Sequence, residues 1–225
     1  MLIVEDLLLL LLDDETGTPA KAGTLPYTLG GAVLVELAML GRIDVEGAGS
    51  VLTGPKVVAV GDGPLPDPLL QAAYDEIARK PRTVQTLLLA IGGDLWTTVT
   101  GRLVERGELR RESKRVLGLF RTTRLPSVDT GHEAQLRAAI RAVLVDGAEP
   151  DARTAAITAL LSGSGALPEL RPRLAWSGDV HRRAKELEKG HWGASAVGTA
   201  VARTTAAVAA ASAAATAAVI TTVTT

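Results

Sequence analysis

Hydrophobic positions along the chain fall into two periods that meet at a glycine. From Leu29 to Leu40 apolar side chains cover every face a helix would present, and Glu36 is the one charge. A helix that is apolar all round belongs inside a core. At Gly41 the pattern changes: Arg42 follows, and Ile43-Asp44-Val45 alternates with a period of two. Gly41 suits a left-handed C′ position, Arg42 suits the terminal carbonyls, and the alternation reads as a strand. Residues 29–45 therefore predict a buried central helix running straight into a strand.

Around that stretch, residues 2–12 predict a buried first helix and 13–21 a loop, with Pro26 arguing against a regular element just before the central helix. Ser50-Val51-Leu52 and Lys56–Val60 continue the strand at 43–45 into a small antiparallel meander. A proline-stiffened loop over 61–68 leads to a helix over 69–80, with Leu70, Ala73, Tyr74 and Ile77 on one face and Pro81 at its end. Helices follow over 83–91 and 95–106, the second with Asp94 as N-cap. Leu103-Val104-Glu105-Arg106-Gly107-Glu108-Leu109 then repeats the helix-glycine-strand pattern of 37–43, and residues 116–126 read as a strand leading to an extended tip. The second half is helical over 131–144, 150–161, 179–188 and from 191 onward, with Gly163-Ser164-Gly165, Pro168 and Pro172 marking its one long connection. The expected fold class is mainly α: one compact helical domain over residues 1–225 around a buried central helix, with two small peripheral β-hairpins.

Composition narrows the classes of function. Hydrophobic residues make up 47% of the chain and aromatic ones only 3%, so Leu, Val and Ala must fill the core. The 24 basic and 25 acidic residues nearly cancel, which gives no global attraction to nucleic acid. Without cysteine the chain has no disulfide, thiolate metal site or thiol nucleophile, and it suits a reducing compartment. Leu7–Leu12 reads as core rather than as a targeting segment, since Glu5 and Asp6 precede it and Asp13, Asp14 and Glu15 follow. The Ala/Thr-rich run 204–225 reads as a packed or frayed terminal helix rather than a membrane span.

Candidate chemistry is sparse. His132, His181 and His191 lack metal-ligand spacing, and surface or capping roles are expected for them. Gly163-Ser164-Gly165 lacks the spacing of a nucleophile elbow, and Gly61-Asp62-Gly63 that of a dinucleotide fingerprint. No metal site, cofactor or catalytic residue is predicted. Glu36, a carboxylate on an apolar helix, calls for a partner, either Arg42 or an orphan backbone donor from another element. The most suggestive segment is 108–124, where six basic residues face two acidic ones. Arg115, Leu117, Leu119, Phe120, Arg121 and Arg124 form a basic hairpin with an apolar tip, suited to an anionic membrane surface. The competing reading packs those apolar residues on the core or on another subunit. The twice-repeated helix-glycine-hairpin also supports a winged-helix DNA-binding module.

Several of these segments match a known family pattern. Val4–Glu15, Gly31–Ile43, Leu103–Leu109 and Val116–Phe120, in that order, resemble the Golgi phosphoprotein 3 family, in its bacterial branch. The resemblance implies a compact, mostly helical fold with peripheral hairpins. Eukaryotic members of the family are peripheral membrane proteins that recognise phosphatidylinositol 4-phosphate and retain glycosyltransferases. They use a tryptophan-and-arginine pocket and a hairpin implicated in membrane insertion and oligomerisation. The pocket positions fall at Lys21, Gly30, Gly93 and Trp96, and none carries the family's residue there. Losing the guanidinium forks removes bidentate phosphate recognition. The expectation is a cytoplasmic, non-enzymatic peripheral membrane or adaptor protein whose partners are an anionic phospholipid or phosphoinositide surface, a client protein and further copies of itself through the hairpin, with no nucleic acid. The alternative is the winged-helix regulatory module, and an enzyme built around Glu36 comes third.

Overall fold

The apolar stretch forms helix α2 (Leu25–Met39), which starts four residues before the pattern suggests because Pro26 lies in its first turn. Proline loses nothing there, since the N–H it lacks would have no partner inside the helix. The predicted stop is present. Gly41 has φ +67°, its N–H donates to the Ala38 carbonyl at 3.0 Å, and the Arg42 N–H donates to that of Leu37 at 2.9 Å. Those two bonds make a Schellman motif. The Arg42 side chain does not return to the helix carbonyls. Its Nη2 donates to the Gly63 carbonyl at 2.7 Å, and its guanidinium lies 4.4 Å from the centre of the Tyr74 ring, tying the proline-rich loop to the helix end.

The computed structural model describes residues 1–46, 55–116, 120–128, 131–170, 174–191 and 199–223, with the backbone alone at 113–116, 120–123, 199 and 219–223. Its other elements, in chain order, are α1 (Ile3–Leu11), β1 (Ile43–Glu46), β2 (Lys56–Ala59), α3 (Pro68–Ala78), β3 (Arg82–Thr83), α4 (Val84–Gly92), α5 (Leu95–Glu105), β4 (Glu112–Val116), β5 (Phe120–Arg124), α6 (Gly131–Leu144), α7 (Ala152–Gly163), α8 (Gly178–Glu188) and α9 (Thr199–Val223). The architecture is mainly α, as expected, with the β structure in small antiparallel pieces. β1, β2 and β3 form one sheet in that order, and β4 pairs with β5. β3 was not foreseen: two residues after Pro81 carry no alternation, and they become a strand only by pairing with Lys56 and Val57. The meander strand expected at Ser50–Leu52 lies outside the described residues. Pro150 precedes α7 rather than opening it; the helix is capped by Asp151, whose Oδ1 accepts from the Thr154 N–H at 2.7 Å.

Helix α2 touches α1, α3, α4, α5, α7 and α9, and the core surrounds it. Glycine sets the closeness of two of these contacts. A Cβ on Gly30 would lie 2.4 Å from the Leu88 carbonyl oxygen, and one on Gly92 would lie 1.9 Å from that of Pro26, so α4 crosses α2 backbone to backbone. The C-terminal run is helical through Val223. Thr204, Thr205, Val208 and Ala209 are buried, and α9 packs on α2, α4, α7 and α8. The stretch Ala22–Met39 is long and apolar enough to cross a bilayer, but 67% of it is buried inside the fold, which makes it a core helix.

Candidate functional site

The β4–β5 hairpin leaves the body where α5 ends, and Gly107 repeats the device of Gly41. It has φ +78°, its N–H donates to the Val104 carbonyl at 3.1 Å, and the Glu108 N–H donates to that of Leu103 at 3.0 Å. Backbone pairing sets Glu112 opposite Arg124, Ser113 opposite Thr123, Lys114 opposite Thr122, Arg115 opposite Arg121 and Val116 opposite Phe120. Four of the six predicted contact residues, Arg115, Phe120, Arg121 and Arg124, therefore sit on the paired strands, and Arg124 is exposed. Leu117 and Leu119 lie outside the described residues. Arg110 and Glu112, both well exposed, form an ion pair of 2.5 Å beside the hairpin's base.

That base is bound to the loop after α1. The Leu125 N–H donates to the Thr16 carbonyl at 3.4 Å and the Ser127 N–H to that of Asp14 at 3.1 Å. Across the two strands of the base, the Arg110 N–H donates to the Pro126 carbonyl at 3.0 Å and the Val128 N–H to that of Glu108 at 2.9 Å. Beneath it lies the carboxyl of Glu133, which is 2% exposed and ion-paired with Arg137 one turn further along α6. Burial pushes the Glu133 carboxyl up to about 7; Arg137 and His132 pull it down, and Asp14 adds to the rise.

The larger electrostatic feature is one that pattern reading passed over. Glu5 and Asp6, in the first turn of α1, are 0% and 1% exposed. Glu5 accepts from Arg102 at 2.8 Å, from Arg106 at 2.9 Å and from the Leu2 N–H at 2.8 Å. Arg102 also forks onto Asp67, the N-cap of α3, at 2.9 and 2.6 Å, and that fork holds the Asp67 carboxyl below its ordinary value. Asp6 takes Arg153 at 2.9 and 2.6 Å and meets His132 Nε2 at 2.8 Å. One signal was available: two adjacent carboxylates ahead of a run of six leucines can be buried only if cations come to them.

Glu36 accepts from the Ile3 N–H and has Arg153 at 3.7 Å. Its partner is thus the orphan backbone donor rather than Arg42. Burial raises the Glu36 carboxyl above its ordinary value, while the Ile3 N–H and Arg153 oppose that rise. A groove of about 630 Å³ between α3, α4 and α5 and a cleft of about 560 Å³ at the end of α1 are both open to solvent, and Glu36 lines neither. Among the described residues no group of three His, Asp or Glu is placed to hold a metal ion. His181 stands edge-on to Trp176 at 6.2 Å and His191 is exposed, whereas His132 serves the buried Asp6.

None of the four positions where the resemblance would place a head-group pocket carries an arginine. Lys21, at φ +53°, is ion-paired with Glu169 at 2.7 Å. Gly30 faces the α4 backbone with no room for any side chain, Gly93 is exposed, and Trp96 packs half-buried against the core. The two helices that precede the glycine exits do not offer a free recognition helix for a winged-helix reading. α2 is buried, and the α5 arginines 102 and 106 are engaged by Glu5 and Asp67. The family model described as Golgi phosphoprotein 3 (GPP34) matches residues 3–204, taking in every element from α1 through α8 and the first residues of α9. With a match over nearly all of its 225 residues, the chain belongs to the Golgi phosphoprotein 3 family.

Proposed function

We propose that residues 1–225 act as one domain, a non-enzymatic adaptor that sits peripherally on the cytoplasmic face of a membrane and docks on anionic lipid through the β4–β5 hairpin. The observation that carries this reading is the register. Arg115 stands opposite Arg121, and Val116 and Phe120 make the last pair on either side of the sequence Leu117-Gly118-Leu119. Like charges placed opposite one another across two strands disfavour pairing. An anionic surface at that face turns the repulsion into attraction, with each basic residue contributing on the order of 1 kcal/mol and buried apolar groups adding to it. Family membership supports the same reading. Selective recognition of a phosphoinositide head group at the family's pocket is not proposed, because Gly30 has no space for an arginine.

Co-sedimentation with phosphatidylcholine vesicles, with and without phosphatidylserine, tests this. Binding is expected only with the anionic lipid and should fall at least about tenfold when Arg121 and Arg124 are both replaced by Glu. Binding that ignores lipid charge, or that survives the double replacement unchanged, would end the proposal. Chemical cross-linking and mass measurement on the same vesicles decide whether copies associate through the hairpin and whether a client protein is carried.

A further inference from the structure

The base of the hairpin and the end of α1 enclose a narrow void that admits no water molecule, lined by Leu9, Leu12, Leu109, Leu125, Ser127 and Glu133, with Asp13 and Asp14 at its edge. Two polar groups at this junction are unusual. Glu133 is an acid among leucines, and the Ser127 hydroxyl is buried without a hydrogen-bond partner. A neutral Glu133 can turn its O–H toward that hydroxyl and leave the void dry. An ionised one faces four leucines with a single cation, Arg137, which it shares with Asp14 at 3.3 Å. Burying a carboxylate on those terms is unfavourable, and parting the base from α1 to admit water relieves it.

The charged groups around Glu133 come from every side. α6 supplies Arg137 and His132; α1 and the loop after it supply Asp6, Asp13 and Asp14; Arg153 of α7 holds Asp6. The hairpin's base brings Glu108, whose Oε2 is buried and unpartnered. Of these, Arg137 favours the ionised carboxyl and Asp14 the neutral one, and burial among the four leucines outweighs Arg137 and favours the neutral form.

We propose that Glu133 is a proton-operated latch on the hairpin: neutral, it seals the hairpin's base against α1, and ionised, it lets the base loosen, so that the hold on anionic lipid weakens as pH rises through neutrality. The consequence for lipid rests on the docking reading above; the latch itself does not. Loosening lowers affinity because a hairpin held in one orientation loses less freedom on binding.

Hydrogen–deuterium exchange of the full chain between pH 6 and pH 8, corrected for intrinsic rates, reads the latch directly. The amides of Arg110, Leu125, Ser127 and Val128 close the base, and their corrected exchange should speed up about fivefold or more toward pH 8. Glu133→Gln should hold the slow rate throughout. Binding to phosphatidylserine vesicles should fall by a similar factor over the same range in the natural chain and stay level in Glu133→Gln. Uniform exchange in the natural chain, or an unchanged pH response in Glu133→Gln, overturns the latch. If exchange shows the latch but vesicles never bind, the docking reading fails and the latch stands. Should Glu133→Gln not fold, Asp14→Asn serves: removing that neighbouring negative charge, which both repels an ionised Glu133 and shares Arg137 with it, must move the transition to lower pH, and a transition that stays or rises overturns the proposal.

Discussion

Arg102 brings its Nε to within 2.8 Å of Glu5 Oε1, a carboxylate with no solvent exposure, while the rest of its guanidinium grips Asp67. One side chain thereby joins α5 to the first turn of α1 and to the N-cap of α3. Removing it leaves the buried Glu5 carboxylate with Arg106 as its remaining cation and takes the fork from Asp67, so Arg102→Met should destabilise the protein by about 3 kcal/mol, read as a lower urea midpoint at an unchanged slope. Adding Glu5→Gln should recover part of that loss, because the pair is then absent rather than broken. Asp67 gives this variant a pH signature. Its carboxyl is held below the ordinary 3.8 chiefly by Arg102, so its contribution is present above that pH and lost as pH falls through the lowered value. Acid unfolding of Arg102→Met should begin at higher pH than in the natural chain.

Placing at Gly30 the arginine that the resemblance would put there is expected to fail. Even a methyl group there would sit 2.4 Å from the Leu88 carbonyl oxygen, which is backbone and cannot swing aside. Gly30→Arg should lower stability by more than about 4 kcal/mol or leave the protein insoluble, as overpacking of a helix crossing does. Gly93→Arg is the contrast. That glycine is exposed and its nearest neighbour would be 3.5 Å away, so thermal melting should differ little from the natural chain. Comparable melting of the two variants would show that α2 and α4 can separate at this point.

The helical frame was legible where local chemistry decides it. All-round apolar character marked α1 and α2, and Gly41 and Gly107 marked the two exits into β structure. Elements that exist only through long-range pairing were hidden: the two-residue β3 and the bonds joining Ser127 to Asp14. The site was legible in part for the same reason. The basic-apolar character of the hairpin is local, and so it could be read directly. What Glu5 and Asp6 do depends on cations about a hundred or more residues away, and nothing in a local window says that Arg102 and Arg153 will meet them. Glu36 could be recognised as needing a partner, but only the packing of α1 on α2 selects the Ile3 N–H over Arg42.

The two helix exits invite a paired substitution. At Gly41 and Gly107 the backbone occupies the left-handed region, and a Cβ would meet nothing within 4 Å, so the cost of alanine is conformational alone. Gly41→Ala and Gly107→Ala should each destabilise by about 1–2 kcal/mol, measured by urea unfolding. The two should add within a few tenths of a kcal/mol if the exits are independent. A much larger loss at Gly107 would mean that the hairpin's attachment depends on that turn in a way the α2 exit does not.

Glu133 also sets how global stability depends on pH, apart from any motion of the hairpin. Its carboxyl is raised in the folded protein from the ordinary 4.5 to about 7, so below pH 4.5 both folded and unfolded chains hold the proton and the group is neutral in effect. Between 4.5 and 7 the unfolded chain releases that proton while the folded chain keeps it, which draws the equilibrium toward unfolding. Above 7 the whole penalty is present, up to ~3 kcal/mol for a shift of this size. Glu133→Gln carries no such penalty. Its stability relative to the natural chain should therefore improve steadily from pH 5 to pH 8 and level off above that, as followed by urea unfolding at each pH. Two parallel curves across that range would mean that Arg137 holds Glu133 ionised throughout, with a carboxyl close to its ordinary value.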